Sequence, residues 1–315
     1  MKAAVIHERG GVPVYEDFPD PVAGPGQLLI DVRAVAVENV DRKVAAGEHY
    51  TSTDPVFPLI PCFDGVGALP DGTLVGFGNL KPPYGALAEK AVVDQGAYAP
   101  IPEGVDATVA PVLATAFTGM AMRTAAGFRA GETVLIQGAT GVAGRLAVQV
   151  ARLLDAGRIV ATGRDSEALA ALGADTVIDT RVSDEELTGA FRDARGDGYD
   201  VVLDYLWGRP TETLLRALVP DTFAFAKPTR IVQIGEAAGS ATLGLRADSL
   251  RTSGVEIYGA AKGLDGGGMA EVYEQILTWT RDGALTFDRE VVPLSDVEAA
   301  WQRTDLRGKR LVVTP

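Results

Sequence analysis

The sequence predicts an α/β chain in two parts, one β-rich and one built on a doubly wound parallel sheet. Three observations carry this. Short apolar or alternating runs, parted by Gly and Pro turns, fill the first third of the chain. From about Val109 the character changes, and six compact Val- and Ile-rich runs alternate with helical stretches. A glycine-rich turn joins the first of these runs to the helix that follows it.

In the first part, KAAVIHE, PVYEDF, QLLIDVRAVAV, TLVGFG and LAEKAVV read as strands, separated by turn-forming stretches such as DPVAGPGQ. TVAPVLATAFTGMAMRTAAG is long, Ala-rich and helical in pattern, and it ends near a glycine. After it, ETVLIQG, RIVATG, DTVIDT, DVVLDY, RIVQIG and VEIYGA read as strands. Between most of them lie helical stretches: GRLAVQVARLLDA, DSEALAALGA, DEELTGAFRDA and PTETLLRAL. Continuous apolar strands alternating with amphipathic helices make a parallel sheet covered on both faces. GLDGGG at 263–268 reads as a flexible loop, GMAEVYEQILTWTRDGA as a helix, and the tail as strand, helix and strand. No internal repeat or low-complexity tract stands out.

A length of 315 residues is comfortable for two domains. The net charge of −13 argues against nucleic-acid or anionic-membrane partners, which need a basic surface, but leaves room for one local basic pocket. The single cysteine, Cys62, excludes an internal disulfide and fits a reducing compartment. The start, MKAAVIHERGG, has no apolar core of signal-peptide length, and no stretch is long enough to span a bilayer. A cytoplasmic protein acting on a small molecule is expected.

The strongest chemical signal is VLIQGATGVAGRLAVQVA. A buried strand runs into Gly138, Thr140, Gly141, Val142, Ala143 and Gly144, then into a helix. The glycines allow a tight turn, close backbone approach to a pyrophosphate and close helix–strand packing, and the helix start offers unpaired N–H groups. Alone the string is weak, but within repeated βα units it predicts dinucleotide binding. NAD-binding sheets place an acid at the end of the second strand. Here that strand ends on Gly163 and Arg164, a positive charge where a 2′-phosphate would lie, and NADPH is predicted. Against it stand Asp165, and a solvated Arg at the next helix start as the plainer explanation.

These residues also resemble a known family. GPGQLLIDVRAVAV, TAFTGM, RAGETVLIQGATGVAG, LGADTVIDT, DGYDVVLDYLWG, IVQIG and GKRLVV together are similar to the zinc-independent quinone oxidoreductase branch of the medium-chain dehydrogenase/reductases. The resemblance runs almost end to end. It implies a GroES-like catalytic domain at 1–115 and 284–315, a Rossmann NADP-binding domain at 116–283, and a cleft between them. It also implies a homodimer joined at the Rossmann sheet edges, through VEIYGA.

Zinc members of the superfamily hold their metal with a Cys and with the His of a Gly-His-Glu sequence. By resemblance those places fall here on Glu38 and Phe63, beside Cys62 and Asp64. Two carboxylates without imidazole make a poor zinc site, and one Cys excludes a four-cysteine site. No metal is predicted. Without a Lewis acid an unactivated carbonyl is hard to reduce, whereas a quinone or conjugated enone delocalises the incoming charge itself. Cys62, with Phe63 and Asp64 beside it, reads as packing and not as a nucleophile.

The resemblance implies a proton source in AAGEHYTSTD, where Tyr50 and the adjoining His49 are the candidates. Asn39 lies in Glu38-Asn39-Val40-Asp41, which departs from the family's Asn-Pro-x-Asp and suggests a pocket of unusual polarity. A surface loop plugging the domain boundary is the alternative for Tyr50. Tyr205 and Trp207 follow the fourth parallel strand and could stack on ligand rings or simply be buried aromatics. Backbone at Ile234, Gly235, Ala260 and Ala261 is expected to face the cofactor, and Lys309 matches a recurrent family lysine. Tyr258 and Lys262 have the Tyr-x-x-x-Lys spacing of short-chain dehydrogenases, but that pair needs a helix and here the Tyr lies in a β-rich run. The expected activity is NADPH-dependent hydride transfer to quinones or α,β-unsaturated carbonyls. An enoyl reductase tailoring a polyketide-like substrate and an NADPH-binding redox sensor without turnover are the alternatives.

Overall fold

The computed structural model describes residues 1–52, 56–306 and 308–315. They form two compact units, Met1–Ala114 with Leu277–Pro315, and Thr115–Ile276.

The first unit opens on an antiparallel pair, β1 (Lys2–Val5) with β2 (Val14–Asp17). The long β3 (Gln27–Val37) buries Ile30, Val32 and Ala34 at every second position, the period of a strand with one covered face. Next comes α1 (Asn39–Ala46), absent from the predicted elements because its eight residues are too few for a helical period to stand out. Asp41 starts it by accepting the Glu38 N–H at 2.7 Å, and Gly47 ends it at φ 73°. After it lie β4 (Gly65–Ala68), β5 (Leu74–Phe77), β6 (Lys90–Asp94) and β7 (Tyr98–Pro100). β4 reads GVGA, too short and Gly-rich to stand out, yet a Cβ on Gly67 would lie 2.9 Å from the Asp31 carbonyl of β3. Its small residues are what let the two strands approach.

Beyond α2 (Ala110–Thr124), the second unit repeats strand and helix. The strands are β8 (Thr133–Gln137), β9 (Arg158–Gly163), β10 (Thr176–Asp179), β11 (Val201–Asp204), β12 (Thr229–Gln233) and β13 (Val255–Gly259). The helices are α3 (Val142–Leu153), α4 (Ser166–Ala171), α5 (Asp184–Asp193), α6 (Arg209–Leu218), α7 (Asp248–Arg251) and α8 (Gly266–Arg281). All six strands run parallel in the order β10-β9-β8-β11-β12-β13. Leu135, Val160, Val202 and Ile231 of the sheet pack with Phe191, Tyr199 and Leu214. The Tyr199 hydroxyl satisfies itself on the Phe191 carbonyl at 2.7 Å. GLDGGG is only partly a loop: α8 begins at Gly266, because the Asp265 carboxylate accepts the Gly268 N–H at 2.8 Å and caps the helix.

The chain then returns to the first unit with β14 (Arg289–Pro293), α9 (Val297–Trp301) and β15 (Arg310–Thr314). β15 lies between β14 and β3 in a sheet ordered β14-β15-β3-β4-β5-β7, with β6 also on β3. The predicted class, a parallel Rossmann-like sheet beside a largely antiparallel one, is the one found. Among the described residues no helix is long and apolar enough to cross a membrane.

Candidate cofactor and active site

In the parallel sheet the strand order reverses between β8 and β11, which opens a crevice at their carboxyl ends. Gly138 follows β8 there at φ 84°, and its N–H donates to the Thr162 hydroxyl at 3.2 Å. Gly141 caps α3 with no side-chain bond, so no cap side chain occupies the first-turn N–H groups around Val142 and Ala143. Gly144 brings helix and strand together: a Cβ there would lie 2.4 Å from the Gly138 carbonyl and 2.5 Å from Ala139 Cα. Thr140 packs on Gly163, where an added Cβ would meet Thr140 Cγ2 at 2.6 Å. This bare backbone cradle at a helix N-terminus suits a pyrophosphate.

At the end of β9, Gly163 is buried and Arg164 exposed. Asp165 is committed elsewhere, its Oδ1 accepting the Ala168 N–H at 3.0 Å as the cap of α4. Asp179, beside Gly163 in the β10–β9 register, is tied to Arg181 at 2.6 Å, and this guanidinium holds its carboxyl below the usual range. The charge presented at the second strand end is therefore that of Arg164.

The ends of β11 and β12 are laced together. Ile234 and Gly235 both donate to the Asp204 carbonyl, at 2.9 and 3.1 Å, and a Cβ on Gly235 would lie 2.9 Å from the Tyr205 carbonyl. The Ala260 N–H donates to the Gln233 carbonyl at 3.1 Å. The Tyr205 ring is buried, and its hydroxyl is 3.0 Å from that of Thr118, as in a packed side chain. Trp207 adopts φ 57°. Beneath it lies a network that sequence reasoning missed, since isolated Gln, Asp and Thr residues carry no pattern. The Thr211 hydroxyl donates to Asp204 Oδ2 at 2.5 Å and accepts from Gln137 Nε2 at 3.5 Å, all three residues fully buried.

The catalytic candidates lie in the other unit. Asn39 is exposed at the first position of α1. After the helix, His49 Nδ1 is 2.7 Å from the Thr51 hydroxyl, and its ring lies 4.4 Å from that of Tyr50. Tyr50 is 93% exposed, so its phenol is held by none of the unit's core. Residues 53 and 54, which close the predicted segment, lie outside the described residues. Lys309 is exposed just before β15.

The places where relatives hold zinc form an acid cluster with its own cation. Glu38 Oε1 pairs with Arg310 Nη2 at 2.9 Å, and Arg310 Nη1 donates to the Val37 carbonyl at 3.2 Å. Burial, then the carboxylates of Asp64 and Glu38, push Asp41 up, and burial pushes up the Cys62 thiol. A protonated thiol, a guanidinium on Glu38 and a phenyl ring at Phe63 do not make a zinc donor set. Among the described residues no three His, Cys, Asp or Glu are grouped to hold a metal. Cys62 itself is buried in the core at φ 64°.

Burial and the neighbouring Glu38 carboxylate raise Asp64 to about 7, with Arg310 pulling the other way. An unfolded Asp titrates near ~4, so between the two values the native state holds the extra proton. The stabilising contribution is complete below pH ~4 and is lost as pH rises through 7, at up to about 1.4 kcal/mol per pH unit. In Asp64→Asn the melting temperature at pH 8 is therefore expected to exceed that of the parent, with near-equality at pH 4. Calorimetric scans at both values check it, and parallel pH profiles for the two proteins would refute it.

A family model described as zinc-binding dehydrogenase matches residues 172–310. The chain is 28% identical to a probable NADPH-dependent quinone reductase of Emericella nidulans, over 96% of each chain. It is 32% identical to a chloroplastic NADPH-dependent alkenal/one oxidoreductase of Arabidopsis thaliana, over 65% of this chain and 57% of the relative. Among solved structures, a quinone oxidoreductase from Thermus thermophilus, also solved in complex with NADPH, is 29% identical over the full length of both chains, with a TM-score of 0.76. The chain is therefore similar to NADPH-dependent quinone reductases and alkenal/one oxidoreductases, and these likenesses support the quinone oxidoreductase-like branch of the medium-chain dehydrogenase/reductases.

Proposed function

We propose that the protein is an NADPH-dependent, zinc-independent reductase that passes hydride to quinones or α,β-unsaturated carbonyls. The observation that carries this is the bare glycine cradle at the start of α3, with Arg164 presented at the end of β9 and Asp165 engaged in capping. The cofactor preferences and acceptors named for the similar proteins support it. NADPH supplies the hydride when bound. The α3 N-terminus and its glycines hold the pyrophosphate, Arg164 faces the 2′-phosphate, and the backbone of Ile234, Gly235 and Ala260 orients the nicotinamide. The GroES-like domain, residues 1–115 and 284–315, brings Tyr50 with His49 as proton source and Asn39 as a polar contact, and Lys309 reaches the cofactor. A homodimer joined through β13, the edge strand of the parallel sheet, completes the reading.

NADPH oxidation over a panel of quinones, enones, an enoyl thioester and simple aldehydes tests the activity. Turnover of the conjugated acceptors and not of the aldehydes is expected. Tight NADPH binding with no turnover anywhere supports the sensor instead. Losing a charged phosphate contact costs roughly 10- to 100-fold in affinity. Arg164→Ala is therefore expected to weaken NADPH by that factor and to leave NADH unchanged, measured by nicotinamide fluorescence. Equal affinity for both cofactors, unaltered in the variant, sinks the NADPH assignment.

A further inference from the structure

The turn after β11 contains a residue that its backbone disfavours. Trp207 is at φ 57° and Gly208 follows at φ 61°, two left-handed residues in succession. Glycine occupies such positions freely, whereas a bulky L-residue there is an outlier of the kind that collects at ligand sites. Asp204 holds the turn: its Oδ1 accepts the N–H groups of Leu206 at 2.9 Å and Trp207 at 3.0 Å. None of these bonds uses the indole. Trp207 is absent from the buried core and lines a cavity of about 380 Å³ with Gln233, Glu236, Ala241, Ile257 and Tyr258. That volume is in the range of small-molecule sites, and the cavity adjoins the carboxyl ends of β12 and β13, the side on which such sheets bind ligands.

We propose that Trp207 is a stacking platform for the electron acceptor, a neutral planar conjugated ring of quinone type lying in this cavity with its face on the indole. The inference rests on the reductase reading and names its acceptor class. Ala241 and Ile257 supply apolar wall, and the Tyr258 hydroxyl and Gln233 amide are donors for ring carbonyl oxygens. Gln233 Nε2 spends one N–H on the Gly235 carbonyl at 3.2 Å, which leaves the second. The Glu236 carboxylate in the wall disfavours an anionic acceptor. Without an indole at 207, the ring left in the wall is that of Tyr258, over whose face Lys262 Nζ already lies at 3.2 Å.

Trp207→Gly separates the indole from the backbone, since glycine takes the left-handed conformation without strain. Its melting temperature is expected to equal or exceed that of the parent. Stacking on an aromatic side chain is worth roughly 10- to 100-fold in affinity. The KM for 2-methyl-1,4-naphthoquinone is expected to rise by that factor relative to the KM for a short acyclic enal, with a smaller change in kcat. NADPH affinity, read by fluorescence, is expected to stay within twofold. The proposal is overturned if both acceptors weaken alike, if neither does, or if NADPH affinity falls in step. Equilibrium dialysis of the naphthoquinone against NADP⁺-loaded protein needs no turnover: binding to the parent and not to the variant upholds the site even if the reductase reading fails. Equal binding to both rejects it.

Discussion

Gly144→Ala is expected to lose about 2 kcal/mol of stability and at least roughly 10-fold in NADPH affinity. In an ordinary helix interior the same change is stabilising by about 1 kcal/mol, because alanine restricts the unfolded backbone more than glycine does. The sign reverses here because the new methyl would lie 2.4 Å from the Gly138 carbonyl and 2.5 Å from Ala139 Cα. Both obstacles are backbone, so no rotamer change relieves them. The helix must retreat, at about 1–3 kcal/mol or more for an overpacked contact, and the cradle opens with it. Gly189 within α5 is the internal control, since a Cβ there meets nothing within 4 Å. Gly189→Ala is expected to raise the melting temperature while Gly144→Ala lowers it. Thermal scans of both variants with an NADPH titration decide the matter, and two variants moving in the same direction would contradict it.

Arg310→Met is expected to cost about 3 kcal/mol, the lower end for breaking a buried ion pair on one side. Glu38 would then lie beside Asp41 and Asp64 without the guanidinium that stands 2.9 Å away. The double variant Glu38→Gln/Arg310→Met is expected to recover much of the loss, because exchanging both partners of such a pair for neutral groups is often nearly harmless. Denaturant midpoints for the parent, both single variants and the double variant form the cycle. A double variant whose loss equals the sum of the two single losses would show that the pair has no coupling.

The fold was legible because its signals are periodic. Val- and Ile-rich runs alternating with amphipathic helices can satisfy themselves in few ways, and the parallel sheet from ETVLIQG to VEIYGA follows from them. What escaped was local and polar. α1 is set by one carboxylate bonding one N–H, and α8 starts inside a glycine tract because of Asp265. Among the candidate cofactor residues, the glycine spacing pointed to the cradle, but only geometry shows Asp165 turned away as a cap and Tyr205 buried against Thr118. Glu38 looked like an oddity of pocket polarity. Its meaning needed Arg310, and no local pattern joins residues so far apart in sequence.

That separation has a consequence for how the molecule assembles. Arg310 donates to the Val37 carbonyl across 273 residues, and β15 must slot between β14 and β3. The second unit is one uninterrupted stretch whose strands mostly meet their chain neighbours, whereas the first is knit from both ends of the chain. Loop closure over so long a span is slow compared with local βαβ pairing. During synthesis the second unit can therefore mature while the first sheet waits, its Glu38 without the Arg310 guanidinium until β15 is made.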